Sequence, residues 1–503
     1  MSYYTTYLPL LSLAGLLLYI WLRPSTLPLP PGKCFKSCSF SSCISIWFSG
    51  PKGIPLLGNL HQLPLVNSYK KFYEWKQQYG PIVYFHTLGR QFIILNEIKP
   101  ALDLFEKRSA IYNTRPPLIM AGELVGKTRT SIVFAKAGKL LKECRRIAHS
   151  WMNKQAIQEI WPALNNASVL FLKSMLDDPE RSSHHIRTHT GTILLRLLYG
   201  IHCLPEDDPH IARAEHVCDL TAKAMQPGRW MCDIFPSLIH LPSWLPGVSF
   251  KRWAAQARIS TNNLISEPYA NVLKDVLNGT AEKSWLAGDI VDESGQPAAG
   301  ENAEYLMVTA GSLYAAGIDT TVSATRTFFL MMLHHPEIQA KAQEEVDRVV
   351  GSHRIPNMAD IDSLPYLRCV FKEVLRVTAV APLLPHSLER DDVYNGYLIP
   401  KNTCVMVNVW AIFNDPENYP SPELFKPERF DSSLGPVTQF DPENLSFGLG
   451  RRSCVGIQFA QAWILLNMAQ VLHVFDIQPI DGKKIPTPEY TGAAHIRCVH
   501  FYA

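Results

Sequence analysis

The chain has 503 residues, of which 47% are hydrophobic, so it can bury a large core. Its 48 basic and 45 acidic residues leave a formal charge of only +3, which excludes the strongly basic surface that nucleic-acid binding needs. Eleven cysteines, an odd number without paired spacing, indicate reduced thiols in a cytosol-facing protein rather than a disulfide framework.

Residues 3–22 carry no charged side chain before Arg23 and Pro24 end the apolar run. About 20 apolar residues can span a bilayer, and the arginine would mark the cytoplasmic side. A cleaved signal peptide is the alternative, but no positive charge precedes the run and no small-residue cleavage site follows it. We therefore expect residues 1–23 to be a single-pass membrane anchor, with the remainder in the cytosol.

Residues 24–50 form a predicted hinge, in which a proline-rich stretch (LPLPPG, 27–32) is separated from PKGIPLLGN (51–59) by an atypical insertion at 33–50. The insertion contains Cys34, Cys38 and Cys43 but no helical or strand period. One hypothesis is that residues 33–50 are a translated intron, because the codons at both ends can include splice signals and their removal would preserve the reading frame. The alternative is a benign extension of the hinge. A zinc site is disfavoured, since the segment lacks a fourth ligand and a Cys-x-x-Cys pair.

The rest of the chain, residues 51–503, contains no low-complexity linker and is predicted to be one catalytic domain. Segments 82–85 (IVYF) and 92–95 (FIIL) are predicted strands around a turn at Gly89. Long apolar runs with helical periodicity dominate elsewhere. The predicted fold class is therefore mainly α with small β-sheets.

Residues 301–334 predict one long helix that is apolar on most sides. The segment AGIDTT at 316–321 interrupts this pattern, and its small residues would let a flat ligand approach the backbone. A threonine inside a helix ordinarily bonds a carbonyl one turn back. Further on, Glu373 and Arg376 are three residues apart, so they share one face of a helix and can pair.

The most informative segment is FGLGRRSCVG at 447–456, which places Cys454 between glycines and ahead of an almost continuously apolar stretch. A cysteine at the N-terminus of a buried helix meets unpaired amides and the positive end of the helix dipole, which lower a thiol pKa. Such a thiolate could hold a haem iron and favour O–O cleavage. An ordinary buried cysteine is the alternative for a lone thiol, but the surrounding pattern favours the haem ligand.

This loop resembles the haem loop of the cytochrome P-450 family at every fixed position, and the resemblance covers residues 51–503. Three further motifs occur in the family's order. AGIDTT resembles its oxygen-activation segment, EVLR at 373–376 its Glu-x-x-Arg pair, and PERF at 427–430 the segment whose Arg429 completes that pair as a triad. The likeness is to microsomal fungal members, and segments near 233–252 look like the O-methylsterigmatocystin oxidoreductase-like group.

The resemblance implies haem b as cofactor, with Cys454 as the iron ligand. It also implies that Asp319 and Thr320 deliver the protons that O–O cleavage needs. The implied haem-binding residues are Arg145, His386, Phe447, Arg452 and Gly456. One departure is Leu141, which stands where the family has a tryptophan that contacts a haem propionate.

The resemblance further implies monooxygenase activity at the endoplasmic reticulum membrane, with NADPH electrons supplied by a partner reductase and with O2 and a small lipophilic molecule as substrates. Lys139, Lys142 and Arg146 form a basic stripe, which is usually a solvated face but here would dock the acidic reductase. Substrate contacts would come from residues 112–133, 314–315, 380–384 and 491–494, which are mainly apolar.

Three alternatives remain: a haem-thiolate isomerase or dehydratase that needs no reductase, a non-catalytic haem-binding membrane protein, and an inactive product of the insertion. Asp319, Thr320 and the basic stripe count against the first of these.

Overall fold

The computed structural model describes residues 49–204, 206–437, 439–479 and 485. The predicted membrane anchor and nearly all of the hinge lie outside these residues. Among the residues described, no helix combines the length and the apolar character that crossing a bilayer requires. The helices are α1 Ser68–Tyr79, α2 Ile98–Leu102, α3 Lys127–Thr130, α4 Lys139–Met152, α5 Lys154–Glu159, α6 Trp161–Asp177, α7 Ser182–Tyr199, α8 Pro209–Met225, α9 Met231–Ile234, α10 Ser249–Leu277, α11 Trp285–Asp289, α12 Gly300–His334, α13 Pro336–Val350, α14 Pro365–Thr378, α15 Val409–Phe413, α16 Glu443–Ser446 and α17 Ile457–Val474.

The strands are short and few in the described part of the chain, as the sequence predicts. They are β1 Ile82–Thr87, β2 Arg90–Leu95, β3 Leu383–Ser387, β4 Asp392–Tyr394, β5 Tyr397–Ile399 and β6 Cys404–Asn408. Four of them form a sheet in the order β1-β2-β6-β3, and β4 pairs with β5. The predicted hairpin is confirmed, with Phe85 opposite Phe92 and Gly89 at φ 79° in the turn.

The chain meets this sheet at its β1 edge, where the amide of Tyr84 donates to the carbonyl oxygen of Ser49 at 3.1 Å. Gly50 then passes so close to β1 that a Cβ there would lie 1.8 Å from the carbonyl oxygen of Tyr84. Atoms cannot approach that closely without moving the backbone, so this path requires glycine immediately before Pro51.

Helix α12 runs through the centre of the domain over 35 residues and confirms the long helix predicted at 301–334. Two glycines let neighbouring helices approach it. A Cβ on Gly311 would lie 2.2 Å from Cγ2 of Ile265 in α10, and one on Gly317 would lie 2.9 Å from Cδ1 of Leu194 in α7. Most of α12 is therefore buried by close helix packing, which explains why its apolar residues cover nearly all of its circumference.

The predicted triad of Glu373, Arg376 and Arg429 forms. Arg376 donates to both carboxylate oxygens of Glu373, at 2.7 and 2.8 Å, and Nε of Arg429 donates to one of them at 3.1 Å. The second arginine lies in the 3-10 turn Pro427–Phe430. All three side chains are buried, so the triad ties α14 to the segment that leads into the loop of Cys454.

Candidate active site

The loop that carries Cys454 lies between α16 and α17 and is shaped by close backbone contacts. The amide of Cys454 donates to the carbonyl oxygen of Phe447 at 2.6 Å, which closes the turn. Gly450 has φ 55°, and a Cβ there would lie 2.1 Å from the carbonyl oxygen of Phe105. Its amide also donates to the Glu106 carboxylate at 2.8 Å. The loop is thus fixed against the segment that follows α2, and Gly450 cannot be replaced without moving it.

The thiol of Cys454 is accessible to solvent, and yet protein surrounds it closely enough for burial to raise its pKa. Both observations hold together if the sulfur faces an internal space rather than the outer surface. A hydrogen bond from the Gly456 amide and the positive charge of Arg145 act in the opposite direction and favour the thiolate. The sequence predicted a lowered thiol pKa, and that prediction is wrong for the unligated thiol because desolvation outweighs the helix terminus. A bound metal ion would deprotonate the sulfur outright.

Phe447 and Gly456 flank this sulfur in the sequence. The ring of Phe447 is partly buried and packs against the main hydrophobic core. A Cβ on Gly456 would lie 3.9 Å from the Cys454 sulfur, which is an ordinary van der Waals distance. The role of Gly456 is therefore its amide, which donates to the sulfur, rather than the absence of a side chain.

Three arginines from distant parts of the sequence act on one another beside this loop. Arg145 in α4 donates to the carbonyl oxygen of Ser453 at 2.9 Å. Arg452 is 8% exposed and donates to the carbonyl oxygens of Ile132 at 3.3 Å and Ala135 at 2.7 Å. Burial, together with the charges of Arg115 and Arg145, lowers the pKa of Arg452 to about 9.

Arg115 is the member of this cluster that the sequence did not identify. Its guanidinium donates to the carbonyl oxygens of Val133, at 2.9 Å, and Pro385. Burial, with a smaller contribution from Arg145, lowers its pKa to about 10. Arg115 stands in a loop outside every recognised motif, so only the folded chain shows that it joins the predicted arginines.

His386 lies on β3 and is buried, with its ring stacked on that of Phe105 at a centroid distance of 4.1 Å and an interplanar angle of 2°. Burial and the charges of Arg115 and Arg452 hold its pKa well below the usual value, so the imidazole is neutral. Its Nδ1 has no hydrogen-bond partner among the described residues. His386 would therefore serve a ligand through a hydrogen bond rather than through a charge.

The chemistry of these groups fits haem b. A cluster of fully or partly buried guanidiniums that lower one another's pKa is stabilised by an anion, and the two haem propionates supply two negative charges. The unpartnered His386 nitrogen offers a further polar contact. The accessible sulfur of Cys454 supplies the soft anionic ligand that haem iron takes from a protein.

The predicted proton-delivery residues lie in the middle of α12. The hydroxyl of Thr320 donates to the carbonyl oxygen of Ala316 at 2.8 Å, which is the back-bond ordinary for a helical threonine. Asp319 is partly buried beside it. Ala316 is exposed although Tyr314 and Ile318, two residues away on either side, are buried, so this turn of the helix faces open space. The approach of a flat ligand to the backbone at these small residues stays a prediction.

The predicted basic stripe on α4 is exposed, but two of its members already have acidic neighbours. Lys139 forms an ion pair with Glu301 at the start of α12, and Nε of Arg146 lies 2.9 Å from the Glu143 carboxylate. Lys142 is exposed between them. The charge that the stripe presents to a partner is therefore smaller than its composition indicates.

Two predicted substrate contacts are engaged within the protein. The Tyr112 hydroxyl donates to the Asp392 carboxylate at 2.9 Å. Tyr314 is fully buried with its ring edge-on to Tyr199 at 6.3 Å, on the side of α12 that packs against α7. The predicted contacts at 491–494 lie outside the described residues.

Comparison with known proteins gives relatives over most of the chain. Cytochrome P-450 monooxygenase 208 of Postia placenta is 38% identical over 451 residues, which cover 88% of this chain and 86% of the relative. Tryptamine 4-monooxygenase of Psilocybe cyanescens is 38% identical over 448 residues, which cover 87% of each chain. A solved structure of a zebra fish cytochrome P-450 with abiraterone superimposes with a TM-score of 0.69 at 22% identity, covering 86% of this chain and 98% of that chain, and so shares the fold. The cytochrome P-450 sequence profile matches residues 48–497, and the chain belongs to the cytochrome P-450 family.

Proposed function

We propose that this protein is a membrane-anchored monooxygenase of fungal secondary metabolism that inserts one oxygen atom of O2 into a small lipophilic molecule. The family makes it a haem-thiolate monooxygenase, with haem b as cofactor and an NADPH-dependent reductase as electron source. The observation that carries the proposal is the accessible sulfur of Cys454 in a loop next to three mutually repelling arginines.

Each residue of the site then has a defined task. Haem b, when bound, supplies the oxygen activation. Cys454 holds the iron, with its sulfur steadied by the Gly456 amide. Arg115, Arg145 and Arg452 bind the propionates, and His386 donates or accepts one hydrogen bond there.

Asp319 and Thr320 move protons towards the open side of α12. The Thr320 hydroxyl proton is held by the Ala316 carbonyl, so the hydroxyl oxygen is left as an acceptor. The hydroxyl group must rotate before it can donate its proton to another acceptor. Asp319 is the adjacent residue in the sequence. Its carboxyl group could therefore pass a proton to the Thr320 hydroxyl oxygen.

Two observations support membrane attachment. The apolar stretch at residues 3–22 has the length of a bilayer span. The segment between α8 and α10 also exposes large apolar side chains, with Trp244 78% exposed and Phe235 43% exposed. Leu65, itself 62% exposed, lies beside Gly228 of the same segment. Such a patch suits a lipid surface. The catalytic domain would face the cytosol from the endoplasmic reticulum.

Secondary metabolism is supported by the fungal relatives, since one of them is named as a tryptamine 4-monooxygenase. The likeness to the O-methylsterigmatocystin oxidoreductase-like group stays a prediction, as does the identity of the substrate.

The experiment that tests the function is turnover of the purified protein in lipid with a cytochrome reductase, NADPH and O2. Substrate-dependent consumption of NADPH and O2 in step with an oxygenated product is the expected result. Product formed without a reductase would instead indicate an isomerase or dehydratase. Haem binding with no turnover of any compound tried would favour the non-catalytic alternative.

A matched pair of variants links that activity to the site. Cys454→Ala should abolish both the thiolate-type carbon monoxide difference band and turnover. Cys404→Ala alters a buried cysteine of β6 and should keep both. A Cys454→Ala protein that retained the band would contradict the assignment.

A further inference from the structure

Helix α3 carries two cations in different surroundings. Arg129 is exposed, whereas Lys127 is only 6% exposed although it lies two residues earlier. A buried lysine is uncommon unless an acid or another acceptor compensates for the loss of hydration.

Among the described residues, no acidic side chain and no hydrogen-bond acceptor is paired with the ammonium group of Lys127. The structure records neither an ion pair nor a hydrogen bond for its ammonium group there. Burial lowers its pKa to about 8, and the one opposing influence is the thiol of Cys218 rather than a carboxylate. The amine therefore remains mostly protonated at neutral pH, and although most of the side chain is buried, its nitrogen keeps some accessible surface.

The position of Lys127 connects it to the oxygen-activation segment. Cys218 lies on α8, and its sulfur is 3.7 Å from the carbonyl oxygen of Ala315. Ala315 directly precedes Ala316, where α12 faces open space. Lys127 thus lies where α3 meets α8 and α12, close to the turn of α12 that precedes Asp319 and Thr320.

The backbone around Lys127 is held in place from two sides. Before it, Nε of Arg258 in α10 donates to the carbonyl oxygen of Leu124 at 2.9 Å. After it, the amide of Ile132 donates to the Ser312 hydroxyl of α12 at 3.0 Å. Because both flanks are fixed to long helices, the lysine cannot easily withdraw to the surface.

We propose that Lys127 binds a carboxylate of the substrate and so orients it over the oxygen-activation segment. This inference rests on the proposed monooxygenase function. A lipophilic carboxylic acid would give the buried ammonium the counter-charge that the described residues do not, and a charge-assisted hydrogen bond there is strong because water is largely excluded. A protonated amine would meet a like charge, so the protein should differ from the tryptamine oxygenase among its relatives.

The test is binding, measured as the change in haem absorption when compounds are added to the oxidised holoprotein without a reductase. The probes are dodecanoate with methyl dodecanoate, and indole-3-propionate with its methyl ester and tryptamine. Wild-type protein should bind at least one acid about tenfold to a hundredfold more tightly than its ester, because the ester lacks the negative charge. Tryptamine should bind more weakly than indole-3-propionate.

Three variants complete the design. Lys127→Met keeps an unbranched side chain that is one atom shorter and uncharged, and it should remove the preference for acids while the esters bind as before. Lys127→Arg should retain the preference. Lys136→Met is the matched control, since Lys136 is exposed and lies outside the predicted substrate contacts, and it should behave as wild type. The melting temperature of Lys127→Met should equal or exceed that of wild type, since an uncompensated buried charge has been removed.

The inference is overturned if acids bind no better than their esters, if Lys127→Met keeps the preference, or if no acid in the panel binds. These outcomes are distinct from failure of the proposed function. That failure would appear as a missing carbon monoxide band or as absent turnover, and the binding titration needs neither a reductase nor catalysis.

Discussion

Glu373 and Arg376 face each other through two parallel hydrogen bonds, at 2.7 and 2.8 Å, in a setting where both side chains are 0% exposed. Arg429 shares the same carboxylate. Removing one partner leaves an uncompensated buried charge, so Glu373→Gln should lower the free energy of unfolding by about 3–5 kcal/mol. Urea unfolding would measure this, and haem incorporation should fall with it.

A control for this variant is Glu74→Gln, which removes the ion pair that the exposed Glu74 forms with Lys71. It should cost less than about 1 kcal/mol because exposed pairs contribute little. Equal losses for the two variants would contradict a special role for the buried triad.

The adjacent residues Arg451 and Arg452 offer a second test, because the first is exposed and the second is buried. Arg452→Leu and Arg115→Leu should each weaken haem retention about tenfold or more, since each removes a charge-assisted contact to a propionate. Arg451→Leu should retain haem as wild type does. Haem transfer to apomyoglobin gives the rates, and unchanged retention in Arg115→Leu would remove that residue from the proposed cofactor site.

Reduction by the partner reductase should depend mainly on Lys142. Lys139 and Arg146 are already paired with Glu301 and Glu143, so their charges are partly neutralised. Lys142→Glu should slow reduction by NADPH and reductase about threefold to tenfold at low ionic strength, and the difference should shrink with added salt.

The control for that experiment is chemical reduction by dithionite, which needs no docking and should be unchanged in Lys142→Glu. Lys274→Glu, an exposed change on α10, should leave both rates alone. A Lys142→Glu protein slowed equally with both reductants would point to damage at the haem instead.

His189 in α7 should contribute to acid sensitivity. Burial, with smaller contributions from the charges of His185 and His184, lowers its pKa to about 4, whereas an unfolded histidine titrates near 6.5. Between these values the unfolded chain binds a proton that the folded chain does not, so stability falls as the pH drops through this window. The full effect is on the order of 3 kcal/mol.

Replacing His189 with Gln should therefore make the decline in unfolding free energy between pH 6.5 and pH 4 shallower, measured by urea unfolding at several pH values. His149→Gln, an exposed change at the end of α4, is the control and should leave the slope as it is. An unchanged slope in the His189 variant would show that its imidazole protonates in the folded state.

Local sequence was enough to predict the hairpin around Gly89 and the pairing of Glu373 with Arg376, because turn residues and fixed spacings specify them. Arg429 and the role of the Cys454 loop came from the family resemblance. Arg115 and Lys127 lie within residues 112–133, which the resemblance assigned to substrate contacts, but neither could be singled out, since neither lies in a motif and only tertiary packing shows what surrounds them. The resemblance placed Tyr314 among the substrate contacts, and the sequence could not show that its side chain lies beside Tyr199, because α12 is apolar nearly all round. The sign of the Cys454 pKa shift likewise depends on burial by residues far away in sequence.

The close contact of Gly50 with Tyr84 bears on the hypothesis that residues 33–50 are a translated intron. Position 32 is also glycine, so splicing out the insertion would join Gly32 to Pro51 and keep a residue without Cβ at the sheet edge. A transcript that retains the insertion and one that lacks it would then both encode a domain with glycine immediately before Pro51. Transcript sequencing can decide between them, and the folded domain itself would tolerate either product.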